Sequence, residues 1–282
     1  MPRRVWSSGV LGIGILILAT GRAVAHDDDV TLRSIDRKVA SHQAPASDLL
    51  LRAEIERADG RLAEAAADLD RAALLVPGSG ALARCRAALA LDMGQPQAAL
   101  RALDACPDPA LAADPRIPWM RADALRQLGR LDAAAVVMDS ALARGEHASA
   151  EHYLARAQLA EQRAGEGAPG AIAVLERGLE RWPQAWNLAS RLVDLEAAAG
   201  DYDAALARLD GLVVLAANPE RLLAQRGDLL ERAGRPWEAR EAWTAALAGL
   251  EARGKKDAAS RELGSRLRAS LTTAQPPRGM LP

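Results

Sequence analysis

Glycine-marked turns recur along this chain at Gly60, Gly94, Gly129, the Gly165/Gly167 pair, Gly200 and Gly234, at a spacing close to 34 residues. A fixed period of this length means a stack of like supersecondary units, none of which can bury its apolar side alone. Three columns of side chains keep phase with the turns. Five residues after each turn stands an alanine, at Ala65, Ala99, Ala134, Ala171, Ala205 and Ala239, with the fourth turn centred on Glu166. Nine residues after it stands a large apolar side chain, at Leu69, Leu103, Met138, Leu175, Leu209 and Trp243. Seven residues before it stands a small one at Ala53, Ala87, Ala122 and Gly227, with Val193 the exception and Ala157 in phase after a shift. Small residues at one level let two helices approach, and large ones at the next fill the space between hairpins.

Half the chain is apolar, Phe is absent, and β-branched residues never gather into alternating runs, so an all-α chain without strands is expected. The order of small residue, turn, Ala, large apolar residue and Pro resembles the tetratricopeptide repeat family. The best-matched stretch runs from Leu51-Arg52-Ala53-Glu54 through Gly60 to Ala65, Leu69, Ala72 and Pro77; the best-matched turn is Gly200-Asp201-Tyr202-Asp203-Ala204-Ala205. The resemblance implies an α-solenoid of about six helix hairpins over residues 47–253, with a linker and capping half-repeat at 26–46. A closing helix is expected at 254–271, where Leu263, Leu267 and Leu271 share a face, and a disordered tail at 272–282. The chain departs from the family pattern in three ways. The closing Pro is clear only at Pro77 and Pro183, extra residues at Ala164–Gly170 leave the fourth register open, and Arg replaces the usual Leu at Arg52, Arg86, Arg121 and Arg226.

Residues 1–25 read as a signal peptide: Arg3 and Arg4, an uncharged apolar stretch from Gly9 to Thr20, and Ala23-Val24-Ala25 as a cleavage signal before His26. The stretch is shorter than the ~20 residues of a membrane span, so the expectation is cleavage and a periplasmic or secreted protein with no membrane insertion. The Arg3-Arg4 pair leaves a twin-arginine route as the alternative. Cleavage removes Arg3, Arg4 and Arg22 and no acid, leaving 33 basic against 37 acidic side chains, a net of −4. With Lys255-Lys256 as the longest basic cluster, this argues against nucleic acid as a partner.

Cys85 and Cys106 are the two cysteines, and export would place them in an oxidising compartment. Lying nine before and twelve after Gly94, they stand at nearly one height on facing helices. A disulfide is one reading; the other puts Cys106 in the small-residue column of Ala72, Ala141 and Ala246 with Cys85 pointing elsewhere, since helix rotation is open. His26, as the mature amino terminus beside Asp27, Asp28 and Asp29, offers an amine and an imidazole to Cu(II); the plainer reading is a charged spacer that exposes the cleavage site. No nucleophile triad, phosphate loop or metal-spaced cluster emerges from His26, His42, His147 and His152, so no cofactor and no enzymatic activity are expected.

The resemblance also implies a binding groove lined by residues ten and six before each turn, among them Glu54, Arg84, Trp119, Asp123, Asp194 and Asp228. Their acids suggest a broken ladder facing a basic or extended polypeptide, with Trp119 as an exposed anchor; the competing reading pairs these acids with Arg52, Arg121 and Arg226. Three functions follow in order: an envelope interaction scaffold or escort, a copper-handling accessory protein using His26, and a structural spacer or non-catalytic subunit.

Overall fold

The computed structural model describes residues 33–41, 43–145, 148–254 and 257–273. Among them the secondary structure is helical throughout, without strands, as the periodicity predicts. Two compact units divide at Asp114/Pro115.

The first unit opens with a short helix, α1, at 33–40. Two hairpins follow, α2 (Ala46–Ala58) with α3 (Leu62–Leu75), and α4 (Gly80–Asp92) with α5 (Pro96–Asp104), then a single turn, α6 (Pro109–Ala113). Helix α5 is only 9 residues long. Pro107 and Pro109 follow it closely, and proline neither donates to a helix ladder nor tolerates a helical residue before it. Leu49, Ala53, Ala65, Leu69, Ala72, Leu82, Cys85 and Leu89 form the core of this unit.

The second unit holds four hairpins: α7 (Ile117–Gln127) with α8 (Leu131–Arg144), α9 (Ala150–Gln162) with α10 (Gly167–Arg181), α11 (Trp186–Ala199) with α12 (Tyr202–Leu215), and α13 (Glu220–Arg232) with α14 (Pro236–Arg253). Helix α15 (Ala258–Thr273) closes it, burying Leu267 and laying Leu263 and Leu271 against the last hairpin's core.

All three columns are interior. The alanines after the turns are 0% exposed in every hairpin, and the large column from Leu69 to Trp243 is at most 5% exposed. In the small column Ala53, Ala87, Ala122, Ala157 and Val193 are buried with Gly227, so Val193 fills the same level as the alanines. The sixth hairpin shows why size alternates. A Cβ at Gly227 would lie 2.3 Å from the Trp243 ring, and that ring's Nε1–H donates to Asp228 at 2.9 Å. The largest side chain of its column thus takes the space of a missing methyl group and satisfies its one polar atom next door.

Five turns close alike. Gly60, Gly94, Gly129, Gly200 and Gly234 have φ between +67° and +84°, and the next residue's N–H reaches back to the carbonyl five positions earlier, as in Arg61 to Glu56 at 2.7 Å and Asp201 to Glu196 at 2.9 Å. These bonds satisfy carbonyls left open at a helix end, and the left-handed residue that permits them is normally glycine. The fourth turn differs: α9 ends at Gln162, and Arg163 is extended with φ −85° and ψ 131°.

Candidate functional site

The first helix of each hairpin carries the residues assigned to the groove. In the first unit Arg84 on α4 reaches Glu54 on α2, and its Nε lies 3.6 Å from Asp114. Toward the other end of the same helices Arg57 pairs with Asp92 at 2.5 Å. Glu54 and Arg84 therefore do come together, as a cross-link between successive helices.

The two cysteines are not bonded to each other and have different neighbours. Cys85 is buried, its Sγ 3.5 Å from Glu54, whereas Cys106 lies beyond the end of α5 and donates to the Gly78 carbonyl at 3.3 Å. Equal height does not make a bond when the helix ends before the second cysteine and the first is turned toward another helix.

In the second unit Trp119 is half-buried against the core of the α8 to α11 cluster and stacks on His152 of α9, ring centroids 3.9 Å apart and planes 12° from parallel. It is not the exposed anchor expected from sequence. His152 also completes a capping box with Ser149: its Nδ1 accepts from the Ser149 N–H at 3.1 Å. Burial draws the His152 imidazole below its ordinary range. Sequence reasoning passed over this residue, although Ser149 three positions before it is a helix-start signal.

The acid ladder is corrected as well. Asp123 is held by Arg126 at 2.5 Å and by Gln127 at 3.0 Å on its own helix, and Asp228 is the acceptor for Trp243 with Arg266 at 3.6 Å. Asp194 is exposed one turn after Arg191. Arg52 and Arg226 do not take the groove acids. Arg52 binds the buried Asp68 as well as Asp36, and Arg226 binds Asp210. The physical reason is direction: these arginines point at the second helices of the hairpins, away from the row of first helices.

Successive first helices α9 and α11 are tied by part-exposed polar links, Asn187 donating to Glu151 at 2.7 Å and Arg191 to Glu161 at 2.5 Å. Behind them the fourth turn is fastened by charge. Arg156, 4% exposed, donates to Asp139 on α8 and to Glu166 ahead of α10; Arg163 binds the same Glu166 and also Asp132. Hydrogen bonds from Arg156 hold the Glu166 carboxyl below the usual carboxylate range.

His26 and His42 lie outside the described residues. Among the described residues no group of three or more His, Cys, Asp or Glu side chains is placed to hold a metal ion, and no helix is long and apolar enough to cross a membrane.

A family described as a tetratricopeptide repeat-like domain matches residues 182–264. No curated protein matches the chain. Among solved structures, a tetratricopeptide repeat protein from Parabacteroides merdae ATCC 43184 is 19% identical, with 87% of this chain and 94% of that chain covered and a TM-score of 0.51. The C-terminal part of a TPR repeat-containing protein from Cytophaga hutchinsonii is 13% identical, covering 85% and 95%, with a TM-score of 0.63. The APC/C hetero-tetramer Cut9-Hcn1 is 15% identical, with 86% of this chain but only 46% of that chain covered and a TM-score of 0.52. The match identifies residues 182–264 as tetratricopeptide repeat-like, and the fold likenesses show the same helical repeat architecture over most of the chain.

Proposed function

We propose that this protein is an exported, non-enzymatic interaction scaffold of the cell envelope that holds a polypeptide segment along the first-helix row of its second unit. The fold is the kind that serves protein–protein interaction, and repeat stacks offer their inner helix row as a binding surface. One observation carries the choice of surface: α9 and α11, which share the buried cluster of Tyr153, Ala157, Leu188 and Leu192, are also joined by part-exposed polar pairs, Glu151 with Asn187 and Glu161 with Arg191. A row of this chemistry is solvated when empty and can exchange its hydrogen bonds for those of a peptide. Exposed Asp194 on α11 favours a cationic side chain on the partner, and half-buried Trp119 on α7 supplies apolar area. Export rests on the leader-like residues 1–25.

Affinity capture from envelope extract tests this reading, with the mature chain and its Trp119→Ala/Asp194→Asn variant side by side. A polypeptide retained by the first and lost from the second is the expected result; equal recovery by both would move the binding surface elsewhere. Amino-terminal sequencing of the exported protein is expected to begin at His26, and a start at Met1 would remove the envelope from the proposal.

A further inference from the structure

We propose that the Trp119–His152 stack is a proton-operated latch between α7 and α9. His152 is the one histidine among the described residues, and its ring does two tasks at once. One face lies on Trp119 of α7, 3.9 Å between centroids. Its Nδ1 meanwhile accepts from the Ser149 N–H at 3.1 Å and lies 3.2 Å from the Ser149 hydroxyl, at the start of α9. Accepting at Nδ1 requires the neutral ring with its proton on Nε2. A second proton turns Nδ1 into a donor, which sets it against the Ser149 N–H and toward the Ser149 hydroxyl oxygen, so the ring must shift from its present seat.

The surrounding charges leave this choice to burial. On α9, Glu151 is engaged by Asn187 of α11, and Arg156 by Asp139 of α8 and Glu166 before α10. On α8, Asp132 is taken by Arg163, and on α11, Arg191 by Glu161. One turn either side of Trp119 on α7 lie Arg116 and Asp123, the latter held by Arg126. Attraction between an imidazolium and the indole face opposes opening. Burial works the other way, drawing the ring toward its neutral form.

The sign follows. A histidine whose folded pKa is depressed keeps the latch closed above the ordinary imidazole value of 6.5 and loses that support as pH falls below it, until the folded value is passed. Opening would free the Trp119 ring on the row proposed to bind a partner, a consequence that rests on the binding reading above.

Carbon–proton NMR of the full chain against pH tests the latch without any partner, so its failure is distinct from a failure to bind. His152→Gln identifies the His152 Cε1–H signal, and Trp119→Phe the Trp119 indole signal. We expect the imidazole midpoint below 6.5 and an indole shift with the same midpoint. Amide exchange at residues 151–153, corrected for its intrinsic pH dependence, should speed about fivefold across that midpoint, the loss of one helix cap. A midpoint at or above 6.5, or indole and amide signals that ignore the imidazole titration, would overturn it.

Discussion

The five glycine turns and the fourth turn solve one problem by different forces. At Gly60, Gly94, Gly129, Gly200 and Gly234 the backbone closes the hairpin itself, through a left-handed residue and a bond such as Arg130 N–H to the Leu125 carbonyl at 2.8 Å. Between α9 and α10 Arg163 is extended, and side chains do the closing: Arg156 and Arg163 converge on Glu166 and anchor it to Asp139 and Asp132 of α8. A backbone closure ignores acid and salt. An ionic one answers to both, so a single hairpin of the second unit carries a stability set by its surroundings.

The largest effect should come from removing the centre of the ionic closure. Arg156→Ala removes the cation between Asp139 and Glu166 and leaves Arg163 alone on Glu166, and we expect a loss of about 2–3 kcal/mol in urea unfolding. That lies at or below the low end for a fully buried pair, because both acids keep contact with water. A loss under 0.5 kcal/mol would mean that packing, not charge, holds the turn. Next, Gly129→Ala should cost about 1 kcal/mol and Gly129→Asn less, by the same measurement. No atom lies within 4 Å of the added Cβ at Gly129, so the cost is one of backbone conformation alone.

Acid separates the two kinds of turn further. Glu166, its pKa held down first by hydrogen bonds from Arg156, contributes stability above its ordinary value of 4.5 that is lost as pH falls through the folded value. Glu56, beside the first glycine turn, runs the other way. Burial and then the Asp68 charge raise its pKa, so its penalty is relieved as pH falls. Hydrogen exchange at mildly acidic pH should therefore loosen residues 163–170 before 56–61, and the reverse order would refute the contrast. The smallest effect is expected from Glu56→Gln, whose Oε2 has no hydrogen-bond partner: a gain of about 0.5 kcal/mol at neutral pH, read from the urea midpoint.

What the sequence disclosed and what it hid divide along the same line. Height along a helix is fixed by the period, so Ala65 to Ala239 and Leu69 to Trp243 could be placed in the interior before any coordinates. Rotation about the helix is not fixed by it. For that reason the cysteine pairing stayed open, and the exposure of Trp119 and the partners of Asp123 and Asp228 were misread, each depending on which way a side chain turns. The fourth register stayed open because α9 ends without the glycine bond that marks the others. A signal for the ion pairs was present all the same. Asp70 and Arg86, and Asp210 and Arg226, stand sixteen apart, and Asp139 and Arg156 seventeen, the span from the second helix of one hairpin to the first of the next.

The sixth hairpin holds a lesson about inheritance. Repeat proteins grow by copying, and a copied hairpin is useful where its faces meet any neighbour's. Trp243 lies on the bare backbone of Gly227 and leans its indole N–H on Asp228, all within one hairpin. A duplication that carried the tryptophan onto a partner helix bearing alanine would meet a side chain where the ring must lie, and one that carried the glycine alone would leave a hole. The pair must travel together, which makes this hairpin a module that can be moved whole but not recombined through its middle.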